Sequence, residues 1–503
     1  MIDSRPAGQY KLLESVRSII PADKTVYLVG GAVRDRLMGR TRHDLDFVLS
    51  GDVLGLSRRV ANALGGAYFP LDQERDTARV ILAGQDDKRQ ILDFAALRGP
   101  DLETDLRKRD FTINAMAVNL DDPQTLLDPL GGSADLRRGE LRACSNSAFA
   151  DDAVRILRAV RQAIEFELKI LPETRRQMVQ ARLRLADVSS ERIRDELFRI
   201  LSAQQPATAF RILDRIGALE FVLPELSQLK GVEQPAPHIY DVWEHTLSVV
   251  QNLEKILNVL APDYDPEIAS SLALGLISVK LGRYRQQIHA HLGIQFTPDR
   301  ALRPIVFLAA LYHDVKKPAT RSVQENNHIR FFKHDELGAE TIMQRARELH
   351  LSNPEVERLK TLVRHHMRPL MLSQLEGLPT RRAVYRFFRD TGPAGVDICL
   401  LSLADCLGTY GAGLPQDKWE HQLDVVRYLL SAWWEQPEEK VFPPALVNGH
   451  DLMQALQLEP GPKIGVLLEA IREAQVTGQA ETREQALEFA RKFLMQAGTQ
   501  EDF

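Results

Sequence analysis

Apolar positions along the first hundred residues follow two rhythms. Tyr27 to Val29 and Phe47 to Leu49 are short, partly β-branched runs that predict buried strands, and Arg79 to Ala83 and Gln90 to Ala95 predict two more. Around them, residues 10 to 20 and 54 to 64 repeat apolar side chains at helical spacing. The pattern predicts a mixed, strand-rich head. From Asp151 onward the period is helical: Ala, Val, Ile and Leu alternate with charges to Arg161, the spacing persists through Leu171 to Leu185, and a further helix and turn are expected over 206 to 226. The fold class expected is therefore α+β, with a sheet-bearing head followed by an all-α remainder.

Composition narrows this only a little. The 503 residues suffice for several domains with a core each, and 44% hydrophobic with 26% charged residues is ordinary for a globular protein. Cys144, Cys399 and Cys406 form no C-x-x-C pair, which predicts no disulfide and a reducing, cytoplasmic setting. Met1 to Gly8 lacks the pattern of a signal peptide and no apolar run approaches the ~20 residues that span a bilayer, so no membrane partner is expected. A net charge of −5 does not advertise a nucleic-acid binder, so any RNA contact must come from local basic surface. Arg155 to Arg199 supplies one, with 11 Lys or Arg against 7 Asp or Glu.

The candidate chemistry begins where the first strand ends. Gly30 and Gly31 stand where a strand must turn into a helix with its backbone exposed, a turn able to hold phosphate, and Arg34 adds a forked donor. Asp44 and Asp46 are two apart, so on a strand both carboxylates leave one face and can share hard cations such as Mg²⁺. Asp93 is a lone acid inside an apolar strand that could lie beside them. Farther on, Arg109 can reach a triphosphate, Asp110 can orient a ribose or an arginine, and Asn114 can cap a turn or meet a sugar hydroxyl. Asp152 and Arg155 are neighbours on a helix surface. A carboxylate beside a guanidinium complements the donor and acceptor of cytosine N4/N3 and adenine N6/N1, so this pair could accept CTP and ATP without a template.

Order and spacing of these residues resemble the class II tRNA nucleotidyltransferase and poly(A) polymerase family, whose head has a polymerase-β-like fold. The stretch from Tyr27 to Leu49 resembles its first motif, and Arg107-Lys108-Arg109-Asp110-Phe-Thr-Ile-Asn114-Ala its R-R-D-F-T-x-N-A motif, with Lys108 for an arginine and read as a solvated charge. Asp128-Pro-Leu-Gly131-Gly132 to Asp135-Leu136 resembles a connector that closes the head. Asp151-Asp152-Ala-Val-Arg155-Ile-Leu-Arg158-Ala-Val-Arg161 resembles E-D-x-x-R-x-x-R-A-x-R-F, with Asp151 for the glutamate and Gln162 for the aromatic, a change that bears on packing. Glu191-Arg192 to Glu196 resembles E-R-x-x-x-E, expected as an i,i+4 pair that braces neck helices. The resemblance implies that Asp44 and Asp46 hold Mg²⁺ and that Asp93 helps position or deprotonate the RNA hydroxyl. It further implies that Gly30, Gly31, Arg34, Arg109, Asp110, Asn114, Arg158 and Arg161 serve triphosphate and ribose, and that Asp152 and Arg155 read the base.

Past the linker-like Gln234-Pro-Ala-Pro237, histidine becomes frequent, His238, His328 and His350 included. His245, His313-Asp314, His334, His365 and Asp405 resemble the ligand order of the HD phosphohydrolase superfamily, which implies a divalent metal such as Mn²⁺, Mg²⁺ or Ni²⁺ able to activate water on a phosphoester. His245, His313, Asp314 and Asp405 would hold one ion, with His334 and His365 or His366 available to a second. Lys316 stands where that superfamily has glycine, close enough in sequence to crowd a metal or meet phosphate. Pro444 to Leu468, with its P-G-P-x-I-G turn, resembles the nucleotidyltransferase tail, a way to offer backbone N–H groups to an RNA phosphate. The expected divisions are a head over 1–145, a neck over 146–232, an HD domain over 233–415 and a tRNA-binding tail over 416–503.

Taken together the resemblance implies template-independent addition to the tRNA 3′ end from CTP and ATP. Only 16 residues separate Asp93 from Asp110, leaving roughly Leu97 to Leu102 as loop where full CCA-adding members have a flexible one. In the family that deletion implies addition of two cytidines, with a separate A-adding enzyme completing the end. The rivals are a poly(A) polymerase and an HD phosphohydrolase whose head only binds RNA.

Overall fold

Seven strands, β1 (Val26–Val29), β2 (Asp44–Leu49), β3 (Ala67–Asp72), β4 (Thr77–Leu82), β5 (Gln90–Ala96), β6 (Ala117–Asn119) and β7 (Asp122–Leu127), form one sheet in the order β3-β4-β5-β2-β1-β6-β7. They belong to a computed structural model that describes residues 7–40, 44–83, 89–264, 271–325 and 329–497; His43 and His328 lie outside the described residues. Strands β2 and β5 run parallel, and the other neighbours are antiparallel. The period of two divides the sheet into unlike faces. Leu28, Leu45, Phe47, Leu49, Val80, Leu92 and Phe94 join one core, where Phe47 stacks on Phe94 at 5.0 Å and helices α1 (Ala7–Ile19) and α3 (Val53–Leu64) contribute Val16, Val53, Leu56 and Val60.

The opposite face carries Val29, Val48 and Ala117, covered by Leu106 of α4 (Leu102–Arg107), while Asp44, Asp46 and Asp93 occupy its open part. Four strands were expected from short apolar runs, and the three that were not, β3, β6 and β7, are short or peripheral. Burial in β3 alternates little, and both β3 and β7 contain a proline, a residue confined to edges because it cannot donate to a ladder. Helix α2 (Gly31–Leu37) follows β1, and α5 (Gly132–Arg138), α6 (Ala148–Asp151), α7 (Arg155–Glu165), α8 (Pro172–Ala181) and α9 (Ser190–Ser202) complete the series. The Asp128 connector is structural: its carboxylate accepts from Gly132 and Ser133 N–H at 2.7 and 2.9 Å, and Asp135 accepts from Thr112 at 2.6 Å. A Cβ at Gly132 would stand 2.0 Å from the Thr112 carbonyl oxygen, so only glycine fits there.

By contacts the chain divides into two compact units, Met1–Glu196 with Ile212–Val222, and Leu197–Arg211 with Leu223–Phe503. The boundary expected near residue 145 falls inside the first unit, because the neck is tied into the head by buried ion pairs described below. The second unit is largely helical. Its centre is the helix Leu302–Tyr312, apolar on nearly every side and accordingly buried on nearly every side. Late in the chain Gly449–Leu456, Pro462–Val476 and Arg483–Ala497 enclose a small core of Leu452, Leu467, Ile471, Ala486 and Ala490.

Candidate active site and metal centre

Register decides which head residues meet. Asp46 of β2 pairs with Asp93 of β5, and Asp44 lies two residues before Asp46, so all three carboxylates rise from the same face. Beside them β1 ends at Gly30, whose φ of +73° suits glycine. A Cβ there would stand 3.2 Å from Asp46 Oδ2 and 3.3 Å from Arg109 Nη1, so the turn, the carboxylate and this arginine are in immediate proximity. Arg109 is held by the buried Asp105, which accepts from its Nε and Nη2 at 3.1 Å each.

The cation beside the third carboxylate is Arg79 of β4, a residue the sequence reading did not single out. It donates Nε and Nη2 to the two oxygens of Asp93 at 2.8 and 2.9 Å. The bond to Asp93 raises its pKa, burial opposes the rise, and the charges of Asp93, Asp44 and Asp46 add to it. A protein cation thus already answers the field of the three acids, the field a divalent ion would answer. The signal for Arg79 was available only as an odd charge in an alternating strand.

A second network lies under the first, built on Asn114. Its Nδ2 donates to Asp110 and to Gln162, both at 3.0 Å, and its Oδ1 accepts from Arg34 at 2.6 Å. Gln162, where the family has an aromatic, is therefore a buried polar partner, and Phe166 one turn later lies 4.0 Å from the Arg34 guanidinium instead. Arg34, expected at the triphosphate, is 3% exposed, and its Nε and Nη2 meet Asp35 at 2.8 and 2.7 Å. Burial opposes the Asp110 charge, but Arg158, Asn114 and the Phe111 N–H together hold its carboxyl below the usual range.

Helix α7 carries the remaining arginines. Arg158 Nη1 lies 3.3 Å from Asp110 and its Nε 3.3 Å from Glu196, while Arg161 gives Nε to Glu196 at 2.9 Å. Glu196, 3% exposed, is the brace expected of the neck, and it ties α9 to α7. Arg192 reaches Asp152 instead, at 2.7 Å. Asp152 and Arg155 approach to 3.9 Å, too far for a direct hydrogen bond. Arg155 donates to the carbonyls of Lys108, Arg109 and Ala148, and Asp152 sits in extended backbone between α6 and α7.

The second unit gathers histidines and acids from five segments. His245 lies on Val242–Val259, His313 and Asp314 follow Leu302–Tyr312, His334 opens His334–Glu348, His366 ends Asn353–His365, and Asp405 lies on Ala394–Tyr410. Asp314 Oδ2 is 3.1 Å from His313 Nε2 and 3.6 Å from His245 Nε2, and its Oδ1 is 3.4 and 3.9 Å from His334 and His366 Nε2; Asp405 is 3.1 Å from His245. Here the expected ligand His365 is corrected to His366. One step along a helix turns a side chain by about 100°, which leaves His365 half-buried beside Arg368 while His366 is 2% exposed and faces Asp314.

Three of the imidazoles are fixed by the backbone: Nδ1 of His313, His334 and His366 lies 2.7 to 2.8 Å from the carbonyls of Ala310, Phe331 and Val363. Carbonyl partners at Nδ1 leave Nε2 as the lone-pair donor facing the centre, and the buried Nε2 atoms of His334 and His366 have no hydrogen-bond partner. These donors fit a divalent cation, in two overlapping groups, His245-His313-Asp314 and Asp314-His334-His366. Burial and the neighbouring His313 and His334 push His366 down to about 4, so it stays a neutral ligand. Burial opposes the Asp314 charge, but His313, Lys317 and His334 hold its carboxyl well below the usual range. The lysine concerned is Lys317, with Nζ 2.6 Å from both Asp314 Oδ2 and Gln234 Oε1; Lys316 precedes the short helix Lys317–Thr320.

Comparison with known proteins identifies the domains that carry the two centres. Residues 26–142 match the Poly A polymerase head domain and residues 242–408 the HD domain. The chain is 33% identical over 473 residues to an A-adding tRNA nucleotidyltransferase of Deinococcus radiodurans, covering 93% of this chain and 95% of the relative. It belongs to the class II tRNA nucleotidyltransferase and poly(A) polymerase family. A CC-adding tRNA nucleotidyltransferase of Thermus thermophilus is 31% identical, with 93% of each chain covered. The Thermotoga maritima CCA-adding enzyme complexed with tRNA shares the fold, with a TM-score of 0.59 at 20% identity over 98% of this chain and 97% of that one. As a member of this family the chain is a tRNA nucleotidyltransferase with an HD domain. Among the described residues no helix is long and apolar enough to cross a membrane.

Proposed function

We propose that this nucleotidyltransferase adds two cytidines to the tRNA 3′ end from CTP, releasing pyrophosphate, and leaves the terminal adenosine to a separate A-adding enzyme. The observation that carries the reading is the connection between β5 and α4. It spans only Leu97 to Asp101 and is held along its length: Leu97 N–H donates to Leu49 O at 3.2 Å, Arg98 N–H to Asp105 at 3.0 Å, and Asp101 caps α4 through Thr104 N–H at 2.8 Å. A segment this short and this tied cannot swing across a nucleotide to change the site from CTP to ATP.

Asp44 and Asp46 would hold Mg²⁺, which when bound supplies charge neutralisation at the α-phosphate. Asp93 orients the RNA hydroxyl and takes up its proton. Gly30 and Gly31 let backbone approach the triphosphate, Arg109 meets it beside Asp46, and Asp110, Asn114, Arg158 and Arg161 hold the wall on which ribose rests. Asp152, steadied by Arg192, and Arg155, steadied by backbone carbonyls, present a carboxylate and a guanidinium 3.9 Å apart as acceptor and donor for the cytosine edge. At the HD centre, His245, His313, Asp314, His334, His366 and Asp405 would hold Mn²⁺, Mg²⁺ or Ni²⁺, which supplies an activated water for phosphoester hydrolysis.

The A-adding relative supports the one competing reading, addition of adenosine to a tRNA that already ends in CC. A single assay separates them. With tRNA lacking its 3′ end, CTP should give a product two residues longer and ATP should extend it no further; a complete CCA end, or incorporation only of ATP on tRNA ending in CC, would refute the proposal.

A further inference from the structure

The row of residues that carries the carboxylates continues past them. Asp46, Asp93, Arg79 and Phe69 are successive register partners on β2, β5, β4 and β3, so their side chains rise from one face of the sheet. One end of the row meets the Gly30 turn and Arg109. The other ends in a cation and an aromatic ring. Arg79 gives two nitrogens to Asp93, while its Nη1 makes no hydrogen bond among the described residues. Its side chain is 39% exposed, and Phe69 on the edge strand is 46% exposed, which leaves the ring little part in the core.

We propose that Arg79 and Phe69 form the subsite for the 3′-terminal nucleotide of the acceptor RNA. The inference rests on nucleotidyl transfer at Asp44 and Asp46. In-line displacement sets the entering hydroxyl and the departing pyrophosphate on opposite sides of the α-phosphorus. The bond from the RNA 3′ oxygen to phosphorus forms, the bond to the oxygen bridging toward the β-phosphate breaks, and the hydroxyl proton passes to Asp93 and on to water. Pyrophosphate is held on the basic side, at the Gly30 turn and Arg109, so the hydroxyl enters over Asp93. A nucleotide placed that way lays its phosphodiester and base over the next two strands. There Arg79 Nη1 is a free donor for a phosphate oxygen and the Phe69 ring is a stacking surface.

The test is steady-state addition of cytidine to a tRNA acceptor minihelix, with thermal melts to establish that each variant is folded. Phe69→Ala should raise the KM for RNA about tenfold, the effect of losing one base stack, with the KM for CTP unchanged; Phe69→Leu, which keeps the apolar area of the edge strand, should do the same. Arg79→Met should raise the RNA KM and lower its salt dependence by about one unit of log–log slope, and Arg79→Lys should restore part of both. On a minihelix whose last nucleotide is abasic, wild type and Phe69→Ala should have the same RNA KM. An equal penalty on abasic and normal RNA, or a CTP KM that moves with the RNA KM, would overturn the subsite. Failure of the underlying reading looks different, because Asp46→Asn would then continue to add cytidine.

Discussion

The molecule contains two centres in which acids and cations face one another, and they solve the problem of charge in opposite ways. In the head, Asp44 is exposed and the Asp93 side chain is 30% exposed, so water screens the carboxylates, and Arg79 and Arg109 stand beside them. In the HD centre, Asp314 is 1% exposed and His245 and His313 are fully buried, and the carboxylate is met by four imidazoles and by Lys317. An open face keeps its charges ready for a substrate that brings phosphate and metal with it. A closed one must supply counter-charge from the chain, and its stability depends on that supply.

The contrast breaks most sharply at the carboxylates themselves. Asp46→Ala, like Asp44→Ala, should reduce nucleotide addition to background while tRNA binding stays within about twofold and the melting temperature barely moves; incorporation retained in either variant would sink the head centre. Asp314→Ala should do the reverse. Removing the buried carboxylate leaves Lys317 without its ion-pair partner at a cost of about 3–5 kcal/mol, read as lost protection from hydrogen exchange in the second unit. Metal-dependent phosphoester hydrolysis should end and cytidine addition persist at temperatures where the fold holds. Equal loss of both activities there would mean that the HD region serves the head as a scaffold.

Smaller effects sharpen the comparison. Mn²⁺ at a hundredfold excess over its Kd should stabilise the second unit by about 2.7 kcal/mol, a gain absent in His366→Ala and present in His365→Ala; the opposite result would restore His365 as ligand. In the head, Gln162→Leu should cost about 1–3 kcal/mol by denaturant unfolding, because one Asn114 N–H loses its acceptor in a buried site. No change in that variant would show that water replaces the amide.

Some of this was legible in the chain and some was not, and the division follows physical range. Short apolar runs set four strands of the sheet because a strand inside the sheet is buried along most of its length. The edge strands β3 and β7 escaped it, since residues exposed on most sides carry no such pattern. The turn at Gly30 was legible, but not what it meets: the structure has Asp46 and Arg109 there, and the Thr112 backbone against Gly132.

What the sequence alone determined is therefore the inventory: an acid pair two apart on a strand, a third acid on another, a helix bearing arginines every third residue, and a set of histidines in a fixed order. Only the tertiary structure decided who meets whom. Strand register put Arg79 on Asp93, a single helical step chose His366 over His365, and packing turned Arg34 inward onto Asn114 and Phe166. Spacing along a chain governs neighbours within a few residues, whereas partners 14, 48 or 80 positions apart, such as Arg79 with Asp93, Asn114 with Gln162 and Arg34 with Asn114, are brought together only when sheet and helices close on a common core.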